Sequence, residues 1–414
     1  MYPSGPAGHL PLGKGGFAPT AHICLILHYQ LSTLLGGVSV EILIQNFANI
    51  ELQHVAMWII GAALIYLAIA KEMEPTLLLP MGFGAILVNL PLEVPGTGVQ
   101  HVIDTLFSIG IDGAELFPLL LFIGIGAMID FQPLLTNPKL MIFGAAAQFG
   151  IFFTLFLSSF FGFELKDAAS IAIIGAADGP TSIFVATALG SNYLGAIMVA
   201  AYSYMALVPL VQPPIIKLCT TRKERLIKME YKGKPVPKIV KILFPIVVTM
   251  LVAFFAPDAA ALIGFLMFGN LIRECGVMDS LSNTAQNVLA NLITILLGIT
   301  IASRMKAEEF LQWQTLLIMG LGLVAFIVDT FGGIMIAKLM NIFLPEGKKI
   351  NPMIGAAGIS AFPMSARVVH KLGLEEDSSN FLLMHSIGVN VSGQIASVIA
   401  GGLILAIVKG LLGL

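Results

Sequence analysis

Asp178 is a carboxylate set in an apolar stretch, GAADGPTSIFVATALG at 175–190. A charged side chain at the centre of a bilayer costs at least ~2.5–3.5 kcal/mol on insertion scales, so such a residue is a functional candidate. Gly179 and Pro180 follow, and a proline removes a backbone donor and moves the preceding residue away from helical angles. The freed carbonyls and the carboxylate are hard oxygen ligands for a small cation. The alternative roles are a helix cap or a structural ion pair.

A second interrupted segment, GISAFPMSARVVHKLG at 358–373, aligns with the first without a gap and carries Arg367. The identical pairs are Gly175/Gly358, Pro180/Pro363, Ser182/Ser365, Val185/Val368, Leu189/Leu372 and Gly190/Gly373. The guanidinium of Arg367 is always ionised, and its fork of donors matches a carboxylate. We therefore expect it to hold an anionic substrate; the alternatives are an ion pair with Asp178 or a snorkelling side chain. Paired interrupted segments in two halves of a chain are typical of a transport site at mid-membrane.

Three further residues precede Arg367 in NPMIGAAGIS: Asn351, Gly355 and Ser360. Asn351 and Ser360 offer neutral oxygens, and Gly355 permits close backbone approach. Small residues in membrane helices also serve helix packing, so that alternative stays open. Asn390, in GVNVSGQ, fits either a hydrogen bond between helices or ion ligation.

Other polar residues in apolar sequence are more ambiguous. Tyr202 and Tyr204 lie in AAYSYMALVP, and tyrosine often marks a membrane interface. Asp329, in IVDTFGG, is expected to have a structural or water-cavity role. His370 and His385 have no companions at metal-ligand spacing, so packing roles are expected for both.

The composition indicates a membrane protein. Hydrophobic residues make up 57% of the chain and charged residues 11%, with a mean hydropathy of +0.92. A soluble domain has roughly 25% charged residues. Since only helices and closed barrels span lipid, and barrel strands alternate in polarity, the chain is predicted to be an all-α polytopic membrane protein. The net charge of −2 argues against a nucleic-acid partner, and the three cysteines show no disulfide or zinc spacing.

The apolar spans divide into two similar sets. The predicted spans are 53–70, 75–91, 114–129, 139–162 and 193–216, then 240–256, 259–272, 286–303, 311–340 and 380–413. The interrupted segments, about 167–190 and 350–373, each precede the last span of their set. This order predicts a first repeat over 53–216, a basic loop over 217–239 and a second repeat over 240–414. Residues 1–52 are expected to form a tail with either an amphipathic surface helix at 38–51 or a further span at 22–46.

The joint between the sets, residues 217–241, carries nine of the 22 lysines and arginines, which places it in the cytoplasm. Counting outward from it, seven more basic residues fall inside and four fall outside. Each set has five crossings, an odd number, so the two repeats are predicted to be inverted. The interrupted segments then enter as re-entrant hairpins from opposite faces, and their tips can meet near the midplane.

The chain resembles the β subunit of the sodium-pumping, biotin-dependent decarboxylases, which include the oxaloacetate, methylmalonyl-CoA, glutaconyl-CoA and malonate enzymes. The resemblance runs from about Asn49 to the C-terminus. It is carried by AKEMEPTLLLPMGFGAILVNLP (70–91), GAMIDFQPLL (126–135), GAAAQFGIF (144–152), IIGAADGPTSI (173–183), AAYSYMALVPLVQPPI (200–215), FGNLIRECGV (268–277), NPMIGAAGISAFPMSARV (351–368) and NFLLMHSIGVNVSGQIAS (380–397). The last motif is closer to the acyl-CoA members than to the oxaloacetate enzymes.

The resemblance implies roles for particular residues. Asp178 matches the carboxylate associated with Na⁺ binding, and Tyr204 the tyrosine implicated in proton or ion movement. The family has a polar motif in its second half, which is matched here by Asn351, Gly355, Ser360 and Arg367. The asparagine in the last span of the family is matched by Asn390. Sodium ligands are therefore expected to be Asp178, Asn351, Gly355, Ser360 and Asn390. Arg367 is expected to bind carboxybiotin, with Tyr204, Ser360 and Asp178 taking part in the catalysed step.

The implied activity is decarboxylation of carboxybiotin coupled to Na⁺ export, with consumption of a proton. Implied partners are a carboxyltransferase α subunit, a biotin carrier protein and a small membrane-anchoring subunit, in a homo-oligomeric complex of the bacterial cytoplasmic membrane. The residues alone leave a second function open, a Na⁺-coupled carboxylate carrier without decarboxylase activity, because inverted repeats with a carboxylate and an arginine suit either.

Overall fold

A computed structural model describes residues 46–92, 98–113, 115–231, 233 and 235–413 of the chain. Within these ranges the regular structure is helical and includes no strand, which confirms the all-α prediction. Nearly all of the described residues belong to one unit, Gln53–Leu90 with Gly96–Leu414. The other unit, Met1–Leu52 with Pro91–Pro95, lies mostly outside the described residues, and so do the predicted helices at 22–46 and 38–51.

The first half of the chain begins with peripheral helices and ends with a long inner one. Its α-helices are α1 (Leu52–Ala70), α2 (Pro75–Val88), α3 (Val99–Phe107), α4 (Leu116–Met128), α5 (Gln132–Thr136), α6 (Met141–Ala147), α7 (Phe149–Phe160), α8 (Leu165–Ala172), α9 (Gly179–Ala188) and α10 (Leu194–Cys219).

The second half follows a similar order after a one-turn helix in the basic loop. Its α-helices are α11 (Arg222–Arg225), α12 (Lys238–Phe255), α13 (Ala260–Glu274), α14 (Asp279–Asn283), α15 (Ala290–Ile301), α16 (Ala307–Phe310), α17 (Trp313–Phe343), α18 (Met364–Glu376) and α19 (Leu383–Leu412).

Seven stretches of helix among the described residues are long and apolar enough to cross a membrane, so the chain is a multi-pass membrane protein. They are Leu52–Ala70, Pro138–Phe160, Leu194–Cys219, Lys238–Phe255, Asp279–Arg304, Trp313–Phe343 and Leu383–Leu412. An eighth is formed if α3 and α4, which meet at a bend of 64°, count as one span. The remaining predicted spans coincide with shorter helices, α2, α4 and α13.

Both interrupted segments are broken helices. In the first, α8 runs into a 3₁₀ turn at Ile173–Ala176, the chain turns at Ala177 with φ of 52°, and α9 begins at Gly179. In the second, a 3₁₀ helix at Pro352–Gly358 is followed by extended chain and then by α18. The two tips touch, because the backbone N–H of Ser360 donates to the carbonyl of Ala176 at 2.9 Å.

The ion pairs sort by the predicted side of the membrane. On the cytoplasmic side, the basic loop is bound to the acidic end of α18 by Arg225–Glu376 at 2.6 Å, Lys228–Asp377 at 2.9 Å and Lys217–Glu375 at 3.6 Å. On the opposite side lie Lys409–Asp258 at 3.0 Å and Lys306–Asp104 at 3.5 Å. Each of these five ion pairs joins groups predicted to lie on the same side of the membrane.

Candidate functional site

Asp178 is buried at the tip of the first interrupted segment, where it is 3% exposed. Its Oδ1 accepts from the Thr181 backbone N–H at 3.3 Å, so it caps α9, as one alternative predicted. The positive end of a helix stabilises such a carboxylate. Capping leaves Oδ2 for other groups: it accepts from Thr181 Oγ1 at 2.7 Å, Ser397 Oγ at 2.9 Å and Gln394 Nε2 at 3.1 Å. Three donors on one oxygen form a pre-organised polar site inside an apolar protein.

Gln394 and Ser397 were not singled out from the sequence, although both lie on α19 in the same helical row as Asn390. Residues 390, 394 and 397 have the i, i+4, i+7 spacing that places side chains on one face of a helix. This row of polar residues on one face of an apolar span is the sequence feature from which Gln394 and Ser397 could have been identified. α19 therefore brings one face of a helix from the second half of the chain against the carboxylate in the first half.

Tyr202 lies beside this site. A Cβ atom added to Gly179 would collide with the Tyr202 ring, so the glycine permits the ring to pack directly on the N-terminus of α9. Tyr202 is fully buried, and its hydroxyl has no hydrogen-bond partner within the described residues. Tyr204, two residues on, instead donates its hydroxyl proton to the carbonyl of Met319 on α17.

Ser360 lies at the tip of the second segment, and Asn390 contacts that tip from α19. Ser360 Oγ donates to the Gly393 carbonyl at 3.1 Å, one residue before Gln394. Asn390 Nδ2 donates to the carbonyls of Ile359 at 2.7 Å and Ala357 at 3.1 Å. Its Oδ1 is buried and accepts no hydrogen bond from any described group. An unpaired amide oxygen one helical turn from Gln394 is available to a cation.

Gly355 and Asn351 occupy different surroundings. A Cβ atom on Gly355 would collide with the Gly333 carbonyl, so this glycine allows the second segment to pack closely on α17. Asn351 lies at the end of the segment that contacts the basic loop, where its Nδ2 donates to the carbonyls of Arg225 at 2.8 Å and Ile227 at 2.9 Å. Its Oδ1 accepts from the Met353 N–H at 3.1 Å. The structure thus places Asn351 against the basic loop and not beside Asp178.

Arg367 projects from α18 and is exposed. Its guanidinium makes no hydrogen bond or ion pair closer than 4 Å with a described residue, so the structure does not show the ion pair with Asp178. Its charge acts on Glu74, in the connection between α1 and α2. Burial raises the pKa of Glu74, and Arg367 partly offsets that increase. Arg367 therefore lies on the same side of the break as Glu74, the side predicted to be cytoplasmic.

Asp329 caps a different helix. Its Oδ1 accepts from the Gly150 backbone N–H, at the start of α7, at 2.6 Å. The other oxygen faces Gly175, where a Cβ atom would come within 2.6 Å of it. This arrangement is consistent with the expected structural role, since the carboxylate joins α17 to α7 and to the first interrupted segment.

Residues 53–408 match the family model described as the Na⁺-transporting oxaloacetate decarboxylase beta subunit. The chain belongs to this β-subunit family.

The relatives in this family are β subunits named after different decarboxylases. The chain is 50% identical over 353 residues to the methylmalonyl-CoA decarboxylase subunit beta of Veillonella parvula, covering 85% of this chain and 92% of that one. It is 49% identical over 359 residues to the glutaconyl-CoA decarboxylase subunit beta of Acidaminococcus fermentans, covering 86% and 94%. It is 45% identical over 428 residues to the oxaloacetate decarboxylase beta chain of Klebsiella pneumoniae, covering 89% and 98%.

Proposed function

We propose that this chain decarboxylates carboxybiotin presented by a carrier protein and couples the reaction to Na⁺ export. Membership of the Na⁺-transporting decarboxylase β-subunit family supports this function over the Na⁺-coupled carboxylate carrier. The structural observation that carries the coupling is Asp178, a buried carboxylate at the meeting point of two broken helices.

The proposed Na⁺ site centres on Asp178. The hydroxyl oxygens of Thr181 and Ser397 lie within 2.9 Å of Oδ2 and have lone pairs that can turn toward a cation. Ser360, from the second segment, and the unpaired Oδ1 of Asn390, from α19, supply further oxygens. Gly355 and Asn351 were predicted as ligands together with these residues, and we propose that both support the Na⁺ site indirectly. Gly355 allows the second segment to pack closely on α17, and Asn351 holds the basic loop.

Arg367 is the proposed anchor for the carboxylate of carboxybiotin. The guanidinium is exposed toward the cytoplasmic side and has no ion-pair partner within 4 Å in the described structure, which suits it to a planar anion. Carboxybiotin, when bound, supplies an N–C bond whose cleavage releases CO₂ and leaves the ureido nitrogen to take up one proton. The contribution of this chain is to orient the carboxylate and to deliver that proton.

The proton is proposed to come from the outer side through Tyr204 or Ser360. A proton and Na⁺ compete for the same carboxylate, because each neutralises the charge of Asp178 in a site that excludes water. Arrival of a proton therefore promotes Na⁺ release. This competition ties each decarboxylation to the movement of an ion.

The proposed assembly places the chain in the bacterial cytoplasmic membrane. Its partners are a carboxyltransferase α subunit, a biotin carrier and a small membrane-anchoring subunit, and several copies of the chain associate. The basic loop and α18 present the cytoplasmic surface to these partners.

The test replaces Asp178 with asparagine in the reconstituted complex. Asp178→Asn keeps the shape but removes the charge, so we expect Na⁺-stimulated decarboxylation and Na⁺ uptake into inverted vesicles both to be abolished. Asp258→Asn, which breaks a partly exposed ion pair on the other side of the membrane, is the matched control. Normal Na⁺ dependence in Asp178→Asn would falsify the ligand role. Avidin should block uptake in the wild type, whereas avidin-insensitive uptake without CO₂ release would support the carrier function.

A further inference from the structure

A second buried carboxyl group lies behind the tip of the first interrupted segment. Asp329, on α17, is fully buried. A Cβ atom on Gly175 would come within 2.6 Å of its Oδ2, so this oxygen is covered by the 3₁₀ turn that leads to Asp178. The Ala176 carbonyl, in the same turn, is bonded to the tip of the second segment. Asp329 therefore contacts the segment that carries the proposed Na⁺ site without belonging to that site.

The two buried carboxyl groups have opposite surroundings. Asp178 Oδ2 accepts three hydrogen bonds from neutral donors, which stabilise a charged oxygen. Asp329 Oδ1 accepts from the Gly150 N–H at 2.6 Å, but its Oδ2 accepts from no described group. An ionised carboxylate buried without a cation costs far more free energy than a neutral carboxyl group. The surroundings therefore favour the anion at Asp178 and the acid at Asp329.

The helices around Asp329 bring no charge to compensate an anion. The main neighbours of α17 are α6, α7, α8, α10 and the 3₁₀ stretches of both interrupted segments. In α6, α7 and both 3₁₀ stretches there is no ionisable side chain. Those of α8, α10 and the rest of α17 make no described hydrogen bond or ion pair with Asp329; they are Lys166, Asp167, Tyr202, Tyr204, Lys217, Cys219 and Lys338.

The space beside Asp329 Oδ2 suits a proton and not a larger ion. The oxygen is buried, so neither water nor Na⁺ reaches it in this conformation. Bound Na⁺ also needs several oxygens around it, as at Asp178, whereas this oxygen lies against Gly175 beside the Ala325 methyl group. A proton bonded to Oδ2 needs no coordination shell.

One face of α17 connects Asp329 to the proposed proton entry and to the second segment. Gly322 and Asp329 are seven residues apart, which places them on the same face of the helix. The Tyr204 ring packs on Gly322, where a Cβ atom would come within 2.8 Å of it. One turn beyond Asp329, Gly333 packs on Gly355 of the second segment. In the predicted topology α17 runs from the outer side to the cytoplasm, so Asp329 lies between Tyr204 and the second segment.

We propose that Asp329 is a protonated carboxylic acid and carries the proton that decarboxylation consumes, an inference that rests on the proposed function. Oδ2 holds the proton while Gly175 covers it, and movement of the first segment releases it. The proton joins the ureido nitrogen, which keeps the electron pair of the N–C bond as CO₂ leaves. A proton from the outer side then restores the acid, so one proton is consumed for each bond broken. Because the same segment carries Asp178, proton release and Na⁺ displacement occur in one movement.

The experiment is infrared difference spectroscopy of the complete complex at neutral pH and saturating Na⁺. A protonated carboxyl group has a C=O stretching band that a carboxylate lacks, and we expect Asp329→Asn to remove one such band. This variant should fold as the wild type does, because its amide oxygen can still accept from the Gly150 N–H. Asp167→Asn is the matched control and should leave the band unchanged. Asp167 is also buried, but it accepts from Ser191 Oγ at 2.8 Å and from the Asn192 N–H at 2.9 Å.

Turnover distinguishes a proton carrier from a buried structural acid. In ²H₂O the Asp329 band should keep its frequency in the resting complex and move to lower frequency once carboxybiotin and Na⁺ are supplied, because each cycle exchanges the proton. Asp329→Asn should lower kcat for decarboxylation on the order of a hundredfold, as loss of a proton-transfer group does, and leave KM for carboxybiotin unchanged.

Each possible result decides the proposal. Absence of the Asp329 band, a band that does not move during turnover, or wild-type activity in Asp329→Asn overturns it. Failure of the proposed function would appear differently, as a wild-type complex that does not decarboxylate carboxybiotin in response to Na⁺. The band of the resting complex would still show whether Asp329 is protonated.

Discussion

The Ser360 N–H and the Ala176 carbonyl are joined by a hydrogen bond of 2.9 Å. Ala176 lies two residues before Asp178, so this bond brings the tip of the second interrupted segment to the carboxylate of the first. Two inner helices strengthen the junction. α19 contacts Asp178 through Gln394 and contacts the second segment through Asn390. α10 contacts both segments as well: the Tyr202 ring packs on Gly179, and Gln212 Nε2 donates to the Ala356 carbonyl at 2.6 Å. Substrate binding at one segment can therefore change the geometry of the other.

Loss of the Ser397 hydroxyl should weaken Na⁺ binding without unfolding the protein. Ser397→Ala removes a hydrogen bond of 2.9 Å to Asp178 and one oxygen of the proposed cation site. We expect the Na⁺ concentration for half-maximal decarboxylation to rise about tenfold, the size of one charge-assisted hydrogen bond. Ser392→Ala is the control, because Ser392 lies on the same helix but bonds to the carbonyls of Leu140 and Val389. Equal effects of the two substitutions would contradict the assignment.

Substitution of Arg367 should weaken the binding of carboxybiotin and leave the binding of Na⁺ unchanged. Arg367→Lys keeps the charge but loses the two-pronged contact with a carboxylate. The apparent KM for carboxybiotin is expected to rise about tenfold, while the Na⁺ concentration for half-maximal activity stays constant. Steady-state kinetics at several Na⁺ concentrations measure both quantities. Arg222→Lys, at a largely exposed loop residue, is the control, and unchanged kinetics in Arg367→Lys would assign Arg367 a structural role.

The two neighbouring tyrosines should respond differently to loss of the hydroxyl. Tyr204→Phe leaves the Met319 carbonyl without its donor, so thermal stability should fall by about 1 kcal/mol. Tyr202→Phe removes a hydroxyl that has no partner within the described chain, and stability should stay constant or rise. Thermal unfolding in detergent measures both changes. A larger loss of thermal stability in Tyr202→Phe than in Tyr204→Phe would contradict this assignment, because it would mean that the Tyr202 hydroxyl forms the more important hydrogen bond.

The contacts of the basic loop should weaken in acid. Hydrogen bonds from Ser379, followed by that from Lys228, hold the pKa of Asp377 well below its usual value. Because the folded pKa is lower than the unfolded one, the contribution to stability is present above the unfolded pKa, about 4, and is lost as pH falls through the folded value. Pepsin cleavage within 222–231 should therefore accelerate only below about pH 4. Asp377→Asn should be cleaved faster than the wild type above that range, and the difference between the two proteins should disappear as the pH falls below it.

The sequence predicted the helices better than it predicted the neighbours of the polar residues. Each apolar span coincides with a helix because hydrophobic length is a local property of the chain. Both breaks were predicted for the same reason, since glycine and proline act on their own backbone. Gln394 and Ser397 were missed because nothing local to α19 shows that it packs on a carboxylate 216 or more residues earlier. Asn351 was grouped with Asp178 by motif, whereas packing places it against the loop.

By itself, the sequence determined that the chain spans the membrane as helices, that two segments are broken, and that Asp178 and Arg367 are the charges at those breaks. Composition and backbone chemistry suffice for these statements, since both act over a few residues. Only the tertiary structure decided which polar groups surround Asp178, that the tips touch at Ser360 and Ala176, and that Arg367 remains apart from Asp178. Those contacts join residues about two hundred positions apart, and they arise from the way helices pack to satisfy buried polar groups away from water.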